Sequence, residues 1–315
     1  MVSKELRAGE CVALPTETVY GLAANALDEQ AARKIFDIKG RPLIDPLIVH
    51  VLDRTNAEKI AVVSAKAQLL MENFWPGPLT LVLPRLPKVP DLITSGLDTV
   101  AVRAPAHTLF RQVLEKSQLC LAAPSANPFG YISPTRAEHV SENLGTSLGY
   151  VLDGGPCQHG VESTIVDLSD DDVKILRPGP IQAKALETIL GTEVKVALQH
   201  MPNKGKALKA AGTLARHYSP KTSCYLVKKF SRTGDDGARV WCQRPNSDQL
   251  ESSEFNGHQY WLSESGSPEE MMSHLYDLLH RLDQSGAEWI EFEDPGDSPQ
   301  LLTLKDRLKR ACFQG

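Results

Sequence analysis

Several signatures that would name a chemistry at once are absent from this 315-residue chain. It has no G-x-x-x-x-G-K-[ST] loop and no G-x-G-x-x-G turn, so any nucleotide must be held by another geometry. No H-E-x-x-H pair of zinc ligands occurs. The six cysteines, Cys11, Cys120, Cys157, Cys224, Cys242 and Cys312, are scattered without a C-x-x-C pair. That spacing argues against a zinc site or a disulfide framework; Cys11 and Cys120 lie in apolar runs, as buried free thiols of a reducing compartment do. No stretch approaches membrane-spanning length, and Met1 to Arg7 has no apolar leader core, so a cytoplasmic location and no membrane partner are expected. A net charge of −5 argues against a general nucleic-acid coat, although local basic patches remain open.

What is present is an ordinary globular composition, 42% hydrophobic and 23% charged, long enough for two domains. Up to about Leu198, short apolar runs alternate with helix-period segments. Strands are expected at Cys11–Leu14, Leu47–Leu52, Leu79–Leu83, Thr99–Arg103, Leu119–Ala123, Tyr150–Leu152, Thr164–Leu168 and Val173–Leu176. Helices are expected near 29–38, 65–74, 108–115, 136–144 and 182–190, with Asp28, Ser64 and Thr135 as N-caps and Pro76-Gly77-Pro78 as a stop. Some strands stand too close for a crossover helix, so the sheet should be mixed. From Met201 to Arg232 there are eight Lys or Arg and no acidic residue, a +8 run that reads either as a solvated linker or as a ligand-touching segment through Ala211 to Pro220. After Ser223 strands resume near 224–227, 239–242, 259–262 and 288–292. A capping box at Ser267-Pro268-Glu269-Glu270 opens a helix whose Met271, Leu275, Leu278, Leu279 and Leu282 form a core stripe, and a last helix covers about 300–312. The expected domains are therefore 1–198, a basic linker at 199–222, and a small α/β domain at 223–315.

The chemistry-bearing residues come as polar islands beside predicted strands, as when loops at one edge of a sheet build a site. Thr16-Glu17-Thr18 follows the first strand. Lys39-Gly40-Arg41-Pro42 places two cations in a stiffened turn, suited either to an ordinary surface or to an anion. Arg103 and Arg177 close apolar strands, as rim residues or as anion clamps. Pro124-Ser125-Ala126-Asn127 and Glu162-Ser163-Thr164 set small and hydroxyl residues where backbone can approach a ligand, and Ser133-Pro134-Thr135 opens a helix whose N-terminus favours an anion. Almost no general base accompanies them. The set points to a site that binds phosphates and a carboxylate and works by positioning and charge neutralisation.

Thr16-Glu-Thr-Val-Tyr-Gly-Leu22, Lys39-Gly-Arg-Pro42 with Pro46-Leu-Ile-Val-His50, Pro124-Ser-Ala-Asn127 with Ser133-Pro-Thr135, Ser163-Thr-Ile-Val-Asp167 and Leu176-Arg-Pro-Gly179 resemble, in order and spacing, the motifs of the YrdC family over about residues 8–190. The basic run ending in Arg216-His-Tyr-Ser-Pro220, followed by a small α/β domain, resembles its longer two-domain members. The resemblance implies a twisted mixed-sheet YrdC-like domain followed by a small Rossmann-like α/β domain. It implies synthesis of threonylcarbamoyl-AMP and pyrophosphate from L-threonine, bicarbonate and ATP, with Mg²⁺ accompanying ATP. A tRNA threonylcarbamoyl transferase machinery would consume the product.

Carried over by motif, Thr18, His50, Arg103, Ala123 (through its backbone) and Ser163 would hold threonine. Arg41, Asp45, Thr99, Ser125, Ser133, Arg177 and His217 would line the ATP side, with Lys39 and Arg41 as the catalytic cations and no side chain assigned to a metal. His217 and Tyr218 would close over the site. Asp45 departs from the uncharged polar residue frequent in relatives. Two rival readings are an RNA-binding protein using the +8 run, which offers at least a weak RNA contact, and a carbamoyltransferase of the hydrogenase-maturation kind. The latter carries zinc-finger cysteine pairs that are missing here.

Overall fold

The computed structural model of the chain describes residues 1–198, 208–212, 214, 217–246 and 257–313, and these fall into two units. The first comprises Met1–Phe129, Ser133–Gln158 and Glu162–Leu214. Its strands are β1 (Val12–Leu14), β2 (Gly21–Asn25), β3 (Ile48–His50), β4 (Leu79–Pro84), β5 (Thr99–Arg103), β6 (Leu121–Ala122), β7 (Thr164–Asp167), β8 (Lys174–Arg177) and β9 (Lys195–Val196). They form one mixed sheet in the order β1-β2-β6-β3-β5-β4-β7-β8-β9. Parallel pairs (β3/β5, β4/β7, β8/β9) alternate with antiparallel ones, as the short connections require. β2 was not anticipated, because Gly-Leu-Ala-Ala-Asn has no β-branched residue. The run at Tyr150–Leu152 makes only an isolated bridge, Ala13 to Val151.

The two faces of this sheet are covered differently. One packs on a large core that includes Ile35, Phe36, Leu70, Leu81, Leu83, Val102 and Ile175. The helix at Glu29–Lys39 reaches that core through Ala31, Ala32, Ile35 and Phe36, starts where Asp28 accepts from the Gln30 and Ala31 amides, and stops at Gly40, whose φ of 63° is left-handed. Ser64 caps Ala65–Phe74 as expected. Thr135 does not cap its helix: the N-cap is Arg136, and Thr135 instead faces His139 Nδ1. On the opposite face, Leu6, Phe110, Val113 and Leu114 cover β1, β2 and β6 only. The portion over β3, β5, β4, β7 and β8 carries the site.

The second unit comprises Gly130–Ile132, His159–Val161 and Ala215–Gly315. Strands β10 (Ser223–Val227), β11 (Gly237–Gln243), β12 (His258–Ser263) and β13 (Trp289–Glu293) form an all-parallel sheet in the order β10-β13-β11-β12. The helix at Pro268–Gln284 buries Met271, Leu275, Leu278, Leu279 and Leu282. Only half of the expected capping box forms: Ser267 Oγ accepts from the Glu270 amide, while the Glu270 carboxylate turns to Ser263 Oγ. Tyr131 donates to Asp283, and a Cβ on Gly160 would meet Ser273 backbone at 2.5 Å, so these two short segments are integral to this unit.

The basic run is described only in part; Lys204, Lys206 and Arg216 lie outside the described residues. Its described parts are not a solvated tether. Leu208 and Ala210 are fully buried in the first unit, and Tyr218 in the second.

Candidate active site

Direct cross-strand pairs point to the same face of a sheet. The pairings His50↔Arg103, Arg103↔Thr80, Thr80↔Ile165 and Ile165↔Arg177 therefore set one row across five strands. The register slips between Ile165 and Val166, and this bulge lets the consecutive residues Leu176 and Arg177 both serve the site face. The islands are thus gathered on a face rather than along one edge, because strands of a mixed sheet end in both directions.

Arg103 is the centre of the first cluster. Its Nη2 meets Glu17 Oε1 at 2.6 Å, its Nη1 donates to Thr18 Oγ1 at 2.9 Å, and its Nε donates to the Gly77 carbonyl at 3.2 Å. Glu17 also accepts from the Ala106 amide, and Thr16 Oγ1 lies 2.8 Å from Thr18 Oγ1. All these side chains are buried. Burial alone would raise the Glu17 carboxyl, but the charge and hydrogen bond of Arg103 outweigh it and hold it below its ordinary value. An arginine has five N–H donors, and three are engaged here, which leaves one on each terminal nitrogen. His50, beside Arg103, is pushed down to about 3 by burial and then by the Arg103 charge, so its imidazole is neutral. It packs on Phe110 with centroids 5.2 Å apart, and its Nδ1 has no hydrogen-bond partner among the described residues.

The second cluster gathers cations. Arg41 donates to the Asp45 and Pro46 carbonyls and pairs with Asp45 Oδ1 at 3.0 Å. Lys39 Nζ donates to the Ser125 and Asn127 carbonyls. The left-handed turn at Gly40 separates the two cations. Asp45 is fully buried; burial pushes its carboxyl up against the opposing fields of Arg41, Lys39 and Arg177. Burial, then the charge of Arg41, pushes the Lys39 ammonium well down. Lys39, Arg41 and Arg177 thus surround one buried carboxylate.

Ser163 joins the clusters. Its Oγ lies 2.7 Å from Thr80 Oγ1, and its carbonyl accepts from Nε and Nη2 of Arg177, whose Nη1 donates to the Ala211 carbonyl. Gly179 permits this, since a Cβ there would fall 2.3 Å from the Thr164 nitrogen. Between the clusters Ile48, Val82, Ala101, Ile165 and Leu176 form an apolar floor under Ala210 and Ala211.

The remaining expected residues are placed as follows. The Ala123 amide donates to the Ile48 carbonyl, at the edge of that floor. Ser125 presents its carbonyl to Lys39. Ser133 donates to Glu162 at 2.6 Å. Thr99 shares the face of Arg103 but stands four residues away, about 13 Å along β5. His217 belongs to the second unit, edge-on to Tyr218 at 4.1 Å; its assignment rests on the motif alone. Glu17, Thr80 and Glu162 were not among the expected ligands. A threonine inside Leu-Thr-Leu-Val-Leu reads as an ordinary strand former, and a carboxylate is not an obvious part of an anion site. One literal G-x-S-x-G, Gly145 to Gly149, is no nucleophile elbow: it follows a helix in a 3-10 turn, with Ser147 exposed.

One face of the mixed-sheet unit thus carries Arg103 with Glu17 and Thr18, and Lys39, Arg41 and Arg177 about Asp45, and similarity to known proteins says which class of protein this is. The family Sua5_yciO_yrdC, described as "Telomere recombination", matches residues 4–179, and the "Threonylcarbamoyl-AMP synthase, C-terminal domain" matches residues 181–312. The chain belongs to this family in its two-domain form. It is 38% identical to the threonylcarbamoyl-AMP synthase of Pyrococcus abyssi, over 97% of this chain and 91% of that protein. It is 36% identical to that of Bacillus subtilis, over 98% and 90%. The crystal structure of P. abyssi Sua5 complexed with L-threonine superposes with a TM-score of 0.87 at 35% identity, covering 99% of this chain and 93% of the other.

Proposed function

We propose that the chain condenses L-threonine, bicarbonate and ATP into threonylcarbamoyl-AMP with release of pyrophosphate. The observation that carries this reading is Arg103, a buried cation oriented by Glu17, Thr18 and the Gly77 carbonyl, bonds that engage three of its five N–H groups and leave two for a carboxylate. Threonine enters with its carboxylate on Arg103 and its hydroxyl and amine toward Thr18, His50 and Ser163. The neutral His50 does not compete for the carboxylate, and its open Nδ1 serves the amine or hydroxyl. The amine attacks the bicarbonate carbon, a C–O bond breaks and water leaves, giving a carbamate; a carbamate oxygen then attacks the α-phosphorus, and pyrophosphate leaves.

Negative charge from three reactants is then concentrated in one place, and the protein's contribution is preorganised positive charge rather than a nucleophile. Lys39, Arg41 and Arg177 supply it, and Mg²⁺ enters as part of the ATP substrate. Asp45 acts through Arg41, holding its guanidinium in place. Ser163, bonded toward both clusters, sets their spacing, so that the carbamate lies within reach of the phosphate. The product passes to a transferase acting on tRNA, in the cytoplasm; among the described residues no helix is long and apolar enough to cross a membrane.

The test is pyrophosphate release from ATP and Mg²⁺ with threonine and bicarbonate supplied separately and together. Release that needs both supports the reading. Release indifferent to either one defeats it.

A further inference from the structure

Cys224 lies at the start of β10, 5% exposed, and Cys312 follows the last turn of the helix at Leu302–Ala311. Their sulfurs are 2.6 Å apart and both thiols are free. A disulfide bond is about 2.05 Å, so the pair stands within about 0.6 Å of bonding distance although the two are 88 positions apart in sequence. Ser219, four residues before β10, ties the chain to this helix, its Oγ donating to the Arg310 carbonyl, and the Cys312 amide donates to the Leu308 carbonyl within the helix. Both cysteines line a cavity of about 270 Å³, with Ser219, Lys221, Thr222 and Phe313 on its walls. Cys312, the less buried of the two, is where a small oxidant would arrive.

We propose that Cys224 and Cys312 are a redox modification site, forming a reversible intramolecular disulfide that ties the first strand of the second unit to its last helix. The oxidant is a small-molecule disulfide such as glutathione disulfide. Cys312, the more exposed sulfur, attacks it as thiolate and becomes a mixed disulfide, releasing one thiol. Cys224 then loses its proton to solvent and attacks the Cys312 sulfur, displacing the second thiol. Two protein thiols are oxidised to one disulfide while one small disulfide is reduced to two thiols. Burial, and then the hydrogen bond with Cys312, raises the Cys224 thiol, so its deprotonation is the slow part of the second attack, which the closeness of the two sulfurs offsets. The isolated spacing of the six cysteines gave no sign of this pair, because the two meet only through the fold.

The test incubates the reduced full-length protein, without denaturant, in buffer containing glutathione disulfide in excess, then counts thiols by alkylation after unfolding and maps peptides without reduction. The expected result is loss of two of the six thiols, one peptide joining Cys224 to Cys312, recovery on adding dithiothreitol, and a higher thermal midpoint while oxidised. Cys312→Ser should fold with the midpoint of the reduced protein and show neither the cross-link nor the oxidative gain. Retention of all six thiols, a mixed disulfide that never resolves, or a cross-link that forms only in denaturant would each overturn the proposal.

Discussion

Replacing Arg103 tests the threonine clamp, but the simple truncation confounds two effects. In Arg103→Ala the buried Glu17 loses its ion-pair partner, and an uncompensated buried charge costs about 3–5 kcal/mol of stability. The informative protein is therefore Arg103→Ala in a Glu17→Gln background, compared with Glu17→Gln alone. The glutamine keeps an acceptor for the Ala106 amide and carries no charge, so the second substitution strands nothing ionised. What it removes is the carboxylate fork, a charge-assisted interaction worth about 1.5–3 kcal/mol. At about 1.4 kcal/mol per decade, the threonine dissociation constant should rise about 10- to 150-fold. Titration calorimetry with threonine and no ATP measures it, with a thermal melt to show that both variants are folded. A change below threefold would refute the assignment of the carboxylate to Arg103.

Four further outcomes are expected. Glu17→Gln should destabilise the protein at neutral pH by up to about 3–5 kcal/mol, with the difference from wild type fading as pH falls below 4.5. The sign follows from a depressed carboxyl, whose stabilisation exists above its unfolded value and is lost as pH drops through the folded one; melts from pH 7 to 3 read it. His50 should remain neutral at pH 5 in nitrogen-detected NMR, since its folded value is about 3; titration between pH 6 and 7 would contradict the packing against Arg103. Stability linked to His50 should correspondingly decline as pH falls from 6.5, the ordinary value. ATP binding should draw a proton onto Lys39 at alkaline pH, weakening the affinity as pH rises; calorimetry in buffers of different ionisation enthalpy measures the uptake, and Lys39→Arg should abolish it. Gly179→Ala should cost about 1–3 kcal/mol of stability and lower turnover further by displacing Ser163, both visible in melts and steady-state kinetics.

Much of this architecture is local enough to be read from residues alone. Asp28 before an apolar-periodic stretch and Gly40 after it bound a helix by capping physics, and Thr99-Val-Ala-Val-Arg103 alternates as a strand must. Arg103 and Arg177 stand out because a charge that closes an apolar strand needs a partner. What could not be read is whatever depends on a partner distant in sequence. Thr80 looks like any strand threonine until Ser163, 83 residues on, is placed against it. The bulge that brings Leu176 and Arg177 to one face leaves no trace in composition. The Lys-rich run suggests solvent, yet Ala210 and Ala211 are buried over the sheet because their small side chains fit an apolar floor. Strand β2 was missed for a related reason: Gly21 lies so close to Ala123 that an added Cβ would sit 3.2 Å from it, so the position favours small residues over β-branched ones.

The central claim is that one site joins a carbamoylated threonine to the adenylyl group. Incubation with ATP labelled at its α-phosphorus and with carbon-labelled bicarbonate, in the presence of threonine, tests it most directly. A single threonine-dependent product carrying both labels in equal amounts, with unlabelled pyrophosphate, is expected. Labelled AMP formed without incorporation of the carbon label would contradict it.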